Sequence, residues 1–306
     1  MGADSRIEWC QHTFNPFIGC TKVSPGCDHC YAETWAKRSG LVVWGGERRR
    51  TSAGSWRLPL KWNAQAEREG RRFRVFCASL ADVFDKDVPA EWRDDLWRLI
   101  ESTPNLDWLL LTKRVGNVVH QVWPRWMQAG WPANVWIGAT VCNQAEADRD
   151  IPKLLEVPAR VRFLSIEPML GPINVGPYLS RTNMPDLRMM PGFRDSLPGV
   201  DWVICGGESG PKARPMHISW ARDLMRQCKA AGVPFLMKQL GAQPRGWCAA
   251  QVHADEADRE DGACDFYEGH ELRDPCPGRC VAMLAKKGDD PAEWPEDLRV
   301  REYPQP

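Results

Sequence analysis

The chain has 306 residues, enough for one large domain or two ordinary ones around a sizeable core. Forty Lys and Arg balance forty Asp and Glu, which excludes a global field drawing the protein to nucleic acid or membrane and leaves only local patches. No apolar run approaches the roughly 20 residues of a membrane span, and the opening MGADSRIEWCQH lacks the basic-then-apolar layout of a signal peptide, so a reducing, cytoplasmic setting without membrane attachment is expected.

In chain order, HTFNPFIG (12–19) is the first strand segment. It runs into GCTKVSPGCDHCYAE (19–33), where Cys20, Cys27 and Cys30 are spaced C-x6-C-x2-C. Next, GGERRRTSAGSWRLPLKW (45–62) interleaves Arg48, Arg49, Arg50, Arg57 and Lys61 with Trp56 and Trp62. Such cations can bind phosphates and such indoles can stack on bases; a solvated loop is the plain alternative. Apolar, β-branched runs follow at 72–84, 107–114, 135–143, 161–170, 201–210 and 233–241. Helical patterns separate them at 89–103, 116–130, 143–157 and 219–232, the last with Ser219 as its expected N-cap and Gly232 as its stop.

Continuous apolar strands alternating with helices predict a parallel sheet buried on both faces. Six or seven such units at one-βα spacing predict an α/β fold, a partial or complete (β/α) barrel, with a doubly wound open sheet as the alternative. The barrel is expected over residues 1–241, interrupted by a Pro- and Gly-rich inserted loop at 171–200. Residues 242–306 are expected to form a cysteine-bearing insertion and a C-terminal tail packing on the barrel.

In a parallel barrel, chemistry gathers at the C-terminal strand ends. Here those ends carry Ser79 and Asp82; Thr112, Lys113 and Arg114; Thr140 and Asn143; Ser165 and Glu167; Gly206, Gly207, Glu208 and Ser209; and Lys238 and Gln239. Any one could simply cap the next helix; the set is more informative than its members.

Twelve cysteines are many for a reducing compartment, so clustered ones point to metal or redox chemistry. Thiolates favour iron–sulfur clusters, zinc or copper(I). Three cysteines could hold a cubane with one open iron. A structural zinc would need a fourth ligand, from His29 or a distant cysteine. Cys248, Cys264, Cys276 and Cys280 form a candidate second metal site, for zinc or an auxiliary iron–sulfur cluster. Cys10, Cys77, Cys142, Cys205 and Cys228 lie in or beside apolar runs and read as buried thiols.

The segment NPFIGCTKVSPGCDHCYAE resembles the cluster loop of the radical S-adenosylmethionine (SAM) superfamily. Over most of residues 8–241, and over DPAEWPEDLRVREYP (290–304), the chain is more closely similar to a phage- and prophage-associated branch of three-cysteine iron–sulfur proteins. SLADVFDKDVP, LLLTKR, IGATV, SIEPMLGPI, VICGGESGPKARPMH and PFLMKQLG carry that similarity. The resemblance implies a (β/α) barrel in which Cys20, Cys27 and Cys30 bind three irons of a 4Fe–4S cluster. SAM would chelate the fourth iron through its amino and carboxylate groups. An electron from a reductant protein such as flavodoxin or ferredoxin would cleave SAM to methionine and a 5′-deoxyadenosyl radical, which abstracts hydrogen from a substrate.

The spacing departs from the superfamily's usual C-x3-C-x2-C. His29 stands where an aromatic residue usually precedes the last cysteine, to lie against the adenine or face solvent; Tyr31 is a further candidate contact. The superfamily's Gly-Gly-Glu follows an early strand, whereas here GGE (206–208) follows a late one. Glu208 and Glu167 therefore compete for the SAM amino group, with the ribose hydroxyls as the other task. Ser79, Thr112, Lys113, Thr140, Gly206, Gly207 and Lys238 complete the candidate cofactor set. The expectation is an enzyme that modifies or repairs a nucleic acid or nucleotide. The alternative is a metal-stabilised nucleic-acid adaptor without catalysis.

Overall fold

The computed structural model describes residues 2–3, 5, 7–179, 199–246 and 287–304. The strands are β1 (Gly2–Ala3), β2 (His12–Phe14), β3 (Phe17–Ile18), β4 (Arg49–Arg50), β5 (Phe73–Cys77), β6 (Leu106–Thr112), β7 (Val135–Thr140), β8 (Arg162–Ile166), β9 (Trp202–Gly206), β10 (Met216–His217), β11 (Phe235–Gln239) and β12 (Pro244–Arg245). Eight of them form one sheet in the order β1-β2-β5-β6-β7-β8-β9-β11. β1 is antiparallel to β2, and the other seven run parallel and curl into a half-barrel. Their spatial order is their chain order. A doubly wound sheet reverses its order at a switch point, and this one does not.

The buried strands alternate side chains between two apolar clusters, as the period of two demands. Val75, Trp108, Ile137, Leu164 and Val203 belong to the larger cluster, with residues of the crossover helices. Phe76, Leu109, Trp136, Phe163, Ile204 and Leu236 belong to the other, which fills the barrel. Trp9 closes that filling, its ring 4.5 Å from Phe76 and 6.4 Å from Phe163. A Cβ at Gly138 would come 2.4 Å from Phe163 Cζ, so the ring occupies the space a side chain would need.

The helices are α1 (Tyr31–Ser39), α2 (Ala53–Trp56), α3 (Leu58–Glu69), α4 (Ala90–Glu101), α5 (Val118–Gln121), α6 (Pro124–Gln128), α7 (Gln144–Leu155) and α8 (Ile218–Ala231). Three expectations are corrected. The helix expected over 116–130 is broken between α5 and α6, because Pro124 holds Trp123 in the extended region. α8 takes His217, not Ser219, at its N-cap position, because β10 feeds straight into it; it stops at left-handed Gly232. The first strand segment divides at Asn15-Pro16: β2 joins the main sheet, while β3 pairs antiparallel with β4.

Of the inserted loop, the described ends converge at a bridge between Leu179 and Val200. Residues 287–304 pack along β11: Met237 N–H donates to Val300 O at 2.9 Å and Glu302 N–H to Phe235 O at 3.0 Å, which covers the sheet edge. Beneath the barrel, Tyr303 donates to Glu8 O at 2.9 Å, and Arg74 lies 4.0 Å over the Tyr303 ring. Among the described residues no helix is long and apolar enough to cross a membrane.

Candidate active site

Above the aromatic filling, the C-terminal strand ends surround a cavity open to solvent. Cys20, Cys27 and Cys30 line it, together with Tyr31, Ser79, Thr112, Lys113, Thr140, Glu167 and Lys238. Cys20 follows β3, Cys27 ends the tight turn Pro25–Cys27, and Cys30 stands at the N-cap position of α1. Ser24 Oγ accepts from Gly26 N–H at 3.0 Å and fixes that turn. A Cβ at Gly26 would fall 2.3 Å from Cys142 Sγ, so the glycine lets the loop sit directly on the end of β7.

Two arginines tie this loop to the barrel from different strands. Arg114, after β6, donates to Thr21 O at 2.6 Å and to Cys20 Sγ at 3.4 Å. Asp82 accepts from it at 3.1 Å, and from Thr112 Oγ1 at 2.8 Å, Phe84 N–H at 3.0 Å and Lys113 N–H at 3.1 Å. The Thr112 hydroxyl is thereby committed to Asp82. Arg214, after β9, donates to Pro25 O at 2.9 Å and to Asp28 Oδ2 at 3.0 Å. Glu208 holds Arg214 through its backbone N–H at 2.8 Å, Nε at 3.0 Å and Nη2 at 2.6 Å. His29 Nδ1 lies 2.9 Å from the same carboxylate. Burial disfavours the Glu208 charge, but hydrogen bonds from Arg214 and His29 outweigh it and hold the carboxyl down at about 2.

The two competing carboxylates are thus placed differently. Glu208 and His29 face each other in the loop's anchorage, and neither lines the cavity. Glu167 does, accepting from Ser165 Oγ at 3.0 Å with Lys238 Nζ 2.8 Å away. Burial works against the Lys238 charge, and Glu167 more than restores it. The two glycines serve packing: a Cβ at Gly206 would meet Glu167 Oε1 at 2.8 Å, and one at Gly207 would meet Leu240 O at 2.2 Å. Lys113 differs from the cavity's other cations. Lys22 pairs with Glu33, Arg114 with Asp82 and Lys238 with Glu167, whereas Lys113 has no ion-pair partner among the described residues. Burial pushes the Cys20 thiol up to about 11, and Asp82 adds to the rise.

The basic stretch at 45–62 is split by the fold. Arg48 is buried, bonded to Asp85 Oδ2 at 2.6 Å, to Thr21 Oγ1 at 2.7 Å and to Gly46 O, and is withdrawn from any outer surface. Trp62 is buried too, stacked on His12 with centroids 4.3 Å apart. Arg50 pairs with Asp95 at 2.6 Å and lies 4.5 Å over Trp56. Arg49, Arg50, Arg57 and Lys61 are exposed. Cys248, Cys264, Cys276 and Cys280 lie outside the described residues. The sequence reading missed Arg214 and Trp44; Trp44 lines the cavity. Arg214 was signalled only by lying six residues past Glu208 in one polar loop.

Among the described residues, no three His, Cys, Asp or Glu side chains surround one point closely enough to hold a single metal ion. The three thiols instead border a shared cavity, and their donor chemistry suits a cluster whose ligands bind different irons.

No curated protein matches the chain. Solved structures of spore photoproduct lyase resemble it distantly. A cysteine-to-serine mutant aligns with TM-score 0.43 and 11% identity, over 74% of this chain and 74% of that one. A double mutant with bound AdoMet and dinucleoside spore photoproduct aligns with TM-score 0.40 and 12% identity, over 72% and 64%. A complex with dinucleoside spore photoproduct aligns with TM-score 0.41 and 11% identity, over 74% and 65%. In the last two cases the chain spans slightly under two thirds of the neighbour's length. A family model matches residues 4–272, and the chain belongs to that family, DUF5131, described as a protein of unknown function.

Proposed function

We propose that this protein is a radical SAM enzyme acting on a nucleic acid or nucleotide. One observation carries the first half: three cysteines border one solvent-open cavity at the C-terminal mouth of a parallel half-barrel. Cys20, Cys27 and Cys30 would hold a 4Fe–4S cluster with one iron left for SAM. When bound, the two groups supply one-electron hydrogen-abstraction chemistry. The chain's own residues shape the place where that happens. Thr140, Ser165 and Glu167 offer polar contacts from the inner wall, and unpaired Lys113 offers a cation to an anionic group such as a carboxylate. Tyr31 donates to Ser79 O at 2.6 Å and walls the mouth. A reductant protein such as flavodoxin or ferredoxin, in a cytoplasmic setting, would deliver the electron.

The substrate half rests on the exposed Arg49, Arg50, Arg57 and Lys61. β4 carries the first two beside β3, which leads directly into Cys20, so a phosphate backbone held there would approach the cavity. Membership of the phage- and prophage-associated branch, which we propose on the sequence resemblance, would agree with a nucleic-acid target.

Anaerobic reconstitution tests the reading: wild-type protein should take up about four iron and four sulfide per chain and cleave SAM under strong reductant. Alanine at Cys20, Cys27 and Cys30 should abolish both. Zinc in place of iron, with no SAM cleavage and salt-sensitive nucleic-acid binding, would identify a metal-stabilised adaptor instead.

A further inference from the structure

The two arginines that tie down the cysteine loop make different contacts. Arg214 touches the loop at Pro25 O and Asp28 and reaches none of the three sulfurs. Arg114 reaches one, its Nη1 lying 3.4 Å from Cys20 Sγ. Among the described residues, Cys20 alone of the three has a side-chain N–H donor on its sulfur. The contact is held from several directions. Nη2 is fixed on Thr21 O at 2.6 Å, the Arg114 N–H donates to Thr112 Oγ1 at 2.8 Å, and Asp82 receives both Arg114 and Thr112. The Arg114 side chain is only 10% exposed, so water competes little for its donors.

A hydrogen bond to a ligating sulfur stabilises the electron-richer cluster, and so raises its reduction potential. Asp82, and Asp85 at 3.5 Å, offset the guanidinium charge at longer range. What remains specific to Arg114 is the directed N–H. Resting on the assignment of Cys20 as a cluster ligand, we propose that Arg114 is a positioning residue that sets the cluster's reduction potential through Cys20. Arg214 only seats the loop.

The test is an EPR-monitored redox titration of the reconstituted full chain as wild type, Arg114→Gln, Arg114→Lys and Arg214→Gln. Arg114→Gln should move the midpoint to a more negative potential. Arg114→Lys keeps the charge but cannot span Cys20 and Thr21 together, and should shift in the same direction by less. Arg214→Gln should lower the fraction of chains that hold a cluster and leave the midpoint of that fraction unchanged. Should Arg114→Gln lose the cluster, Arg114→Lys supplies the reading, because it keeps the charge beside Asp82 and loses the paired contact to Cys20 and Thr21. A midpoint that neither Arg114 variant moves, or one that Arg214→Gln moves equally, overturns the inference. Wild-type protein that takes up no cluster overturns the functional reading and this inference together.

Discussion

The lower and upper halves of the barrel interior are built on opposite principles. Below, Trp9, Phe76, Trp136, Phe163 and Trp202 fill the space ring against ring, with no ion pair among them. Above, on the same strands, the inward positions become Thr140, Ser165, Glu167 and Lys238, and the space opens. The change occurs within two strand residues: Phe163 gives way to Ser165, and Leu236 to Lys238. One half therefore stabilises the fold, and the other spends part of that stability on a wet, charged cavity.

Variants can break this division, starting where the effect is largest. Trp202→Ala removes a fully buried ring from the filling and should cost about 3–5 kcal/mol in denaturant unfolding. A cost below about 1 kcal/mol would mean that the lower half does not carry the fold. Gly138→Ala drives a methyl into Phe163 and should cost about 1–3 kcal/mol, again without regard to ligand.

In the upper half the pattern should reverse. Glu167→Gln and Lys238→Met, taken as a double-mutant cycle, should couple by about 1 kcal/mol in stability, while each alone weakens SAM binding in the reconstituted protein. Unchanged SAM affinity in both variants would remove this pair from the proposed cofactor site. Smallest of all, Arg50→Ala should change stability by less than about 0.5 kcal/mol, because the pair with Asp95 is solvent-screened.

The loop anchorage adds a pH signature. The Glu208 carboxyl sits at about 2 in the folded protein, below its ordinary 4.5. Its contribution is therefore fully present above about pH 4.5 and is lost as pH falls through about 2. The stability gap between wild type and Glu208→Gln should close across that window in acid titrations. A gap independent of pH would show that the Arg214 contacts persist without the charge.

The barrel was legible because parallel strands covered on both faces appear as unbroken apolar runs: VWIGAT, buried at every position, is the clearest case. The three-cysteine loop stood out by its C-x6-C-x2-C spacing, and the three side chains border one cavity. What the sequence could not distinguish were residues of one type whose fates depend on distant partners. Arg48, Arg49 and Arg50 are neighbours, yet Asp85, 37 positions away, draws only Arg48 inside. Glu167 and Glu208 both follow strands. Glu167 keeps the inward parity of Ser165, whereas Gly207 packs on the Leu240 backbone and Glu208 beyond it meets Arg214. Nothing local announces a pairing such as Arg114 with Cys20, which spans 94 positions.

The tie between Tyr303 and Glu8 has a kinetic consequence. It joins residues 295 positions apart, beneath the aromatic filling, while β11 waits for the 287–304 segment to cover its edge. Chains emerge from the ribosome in order, and contacts of such long loop closure come late. During synthesis the strands can pair one after another, but the underside stays unlatched until residue 303 has emerged. A nascent chain stalled short of that point would lack the 287–304 cover on β11, and an uncovered strand edge is a template for pairing with another chain.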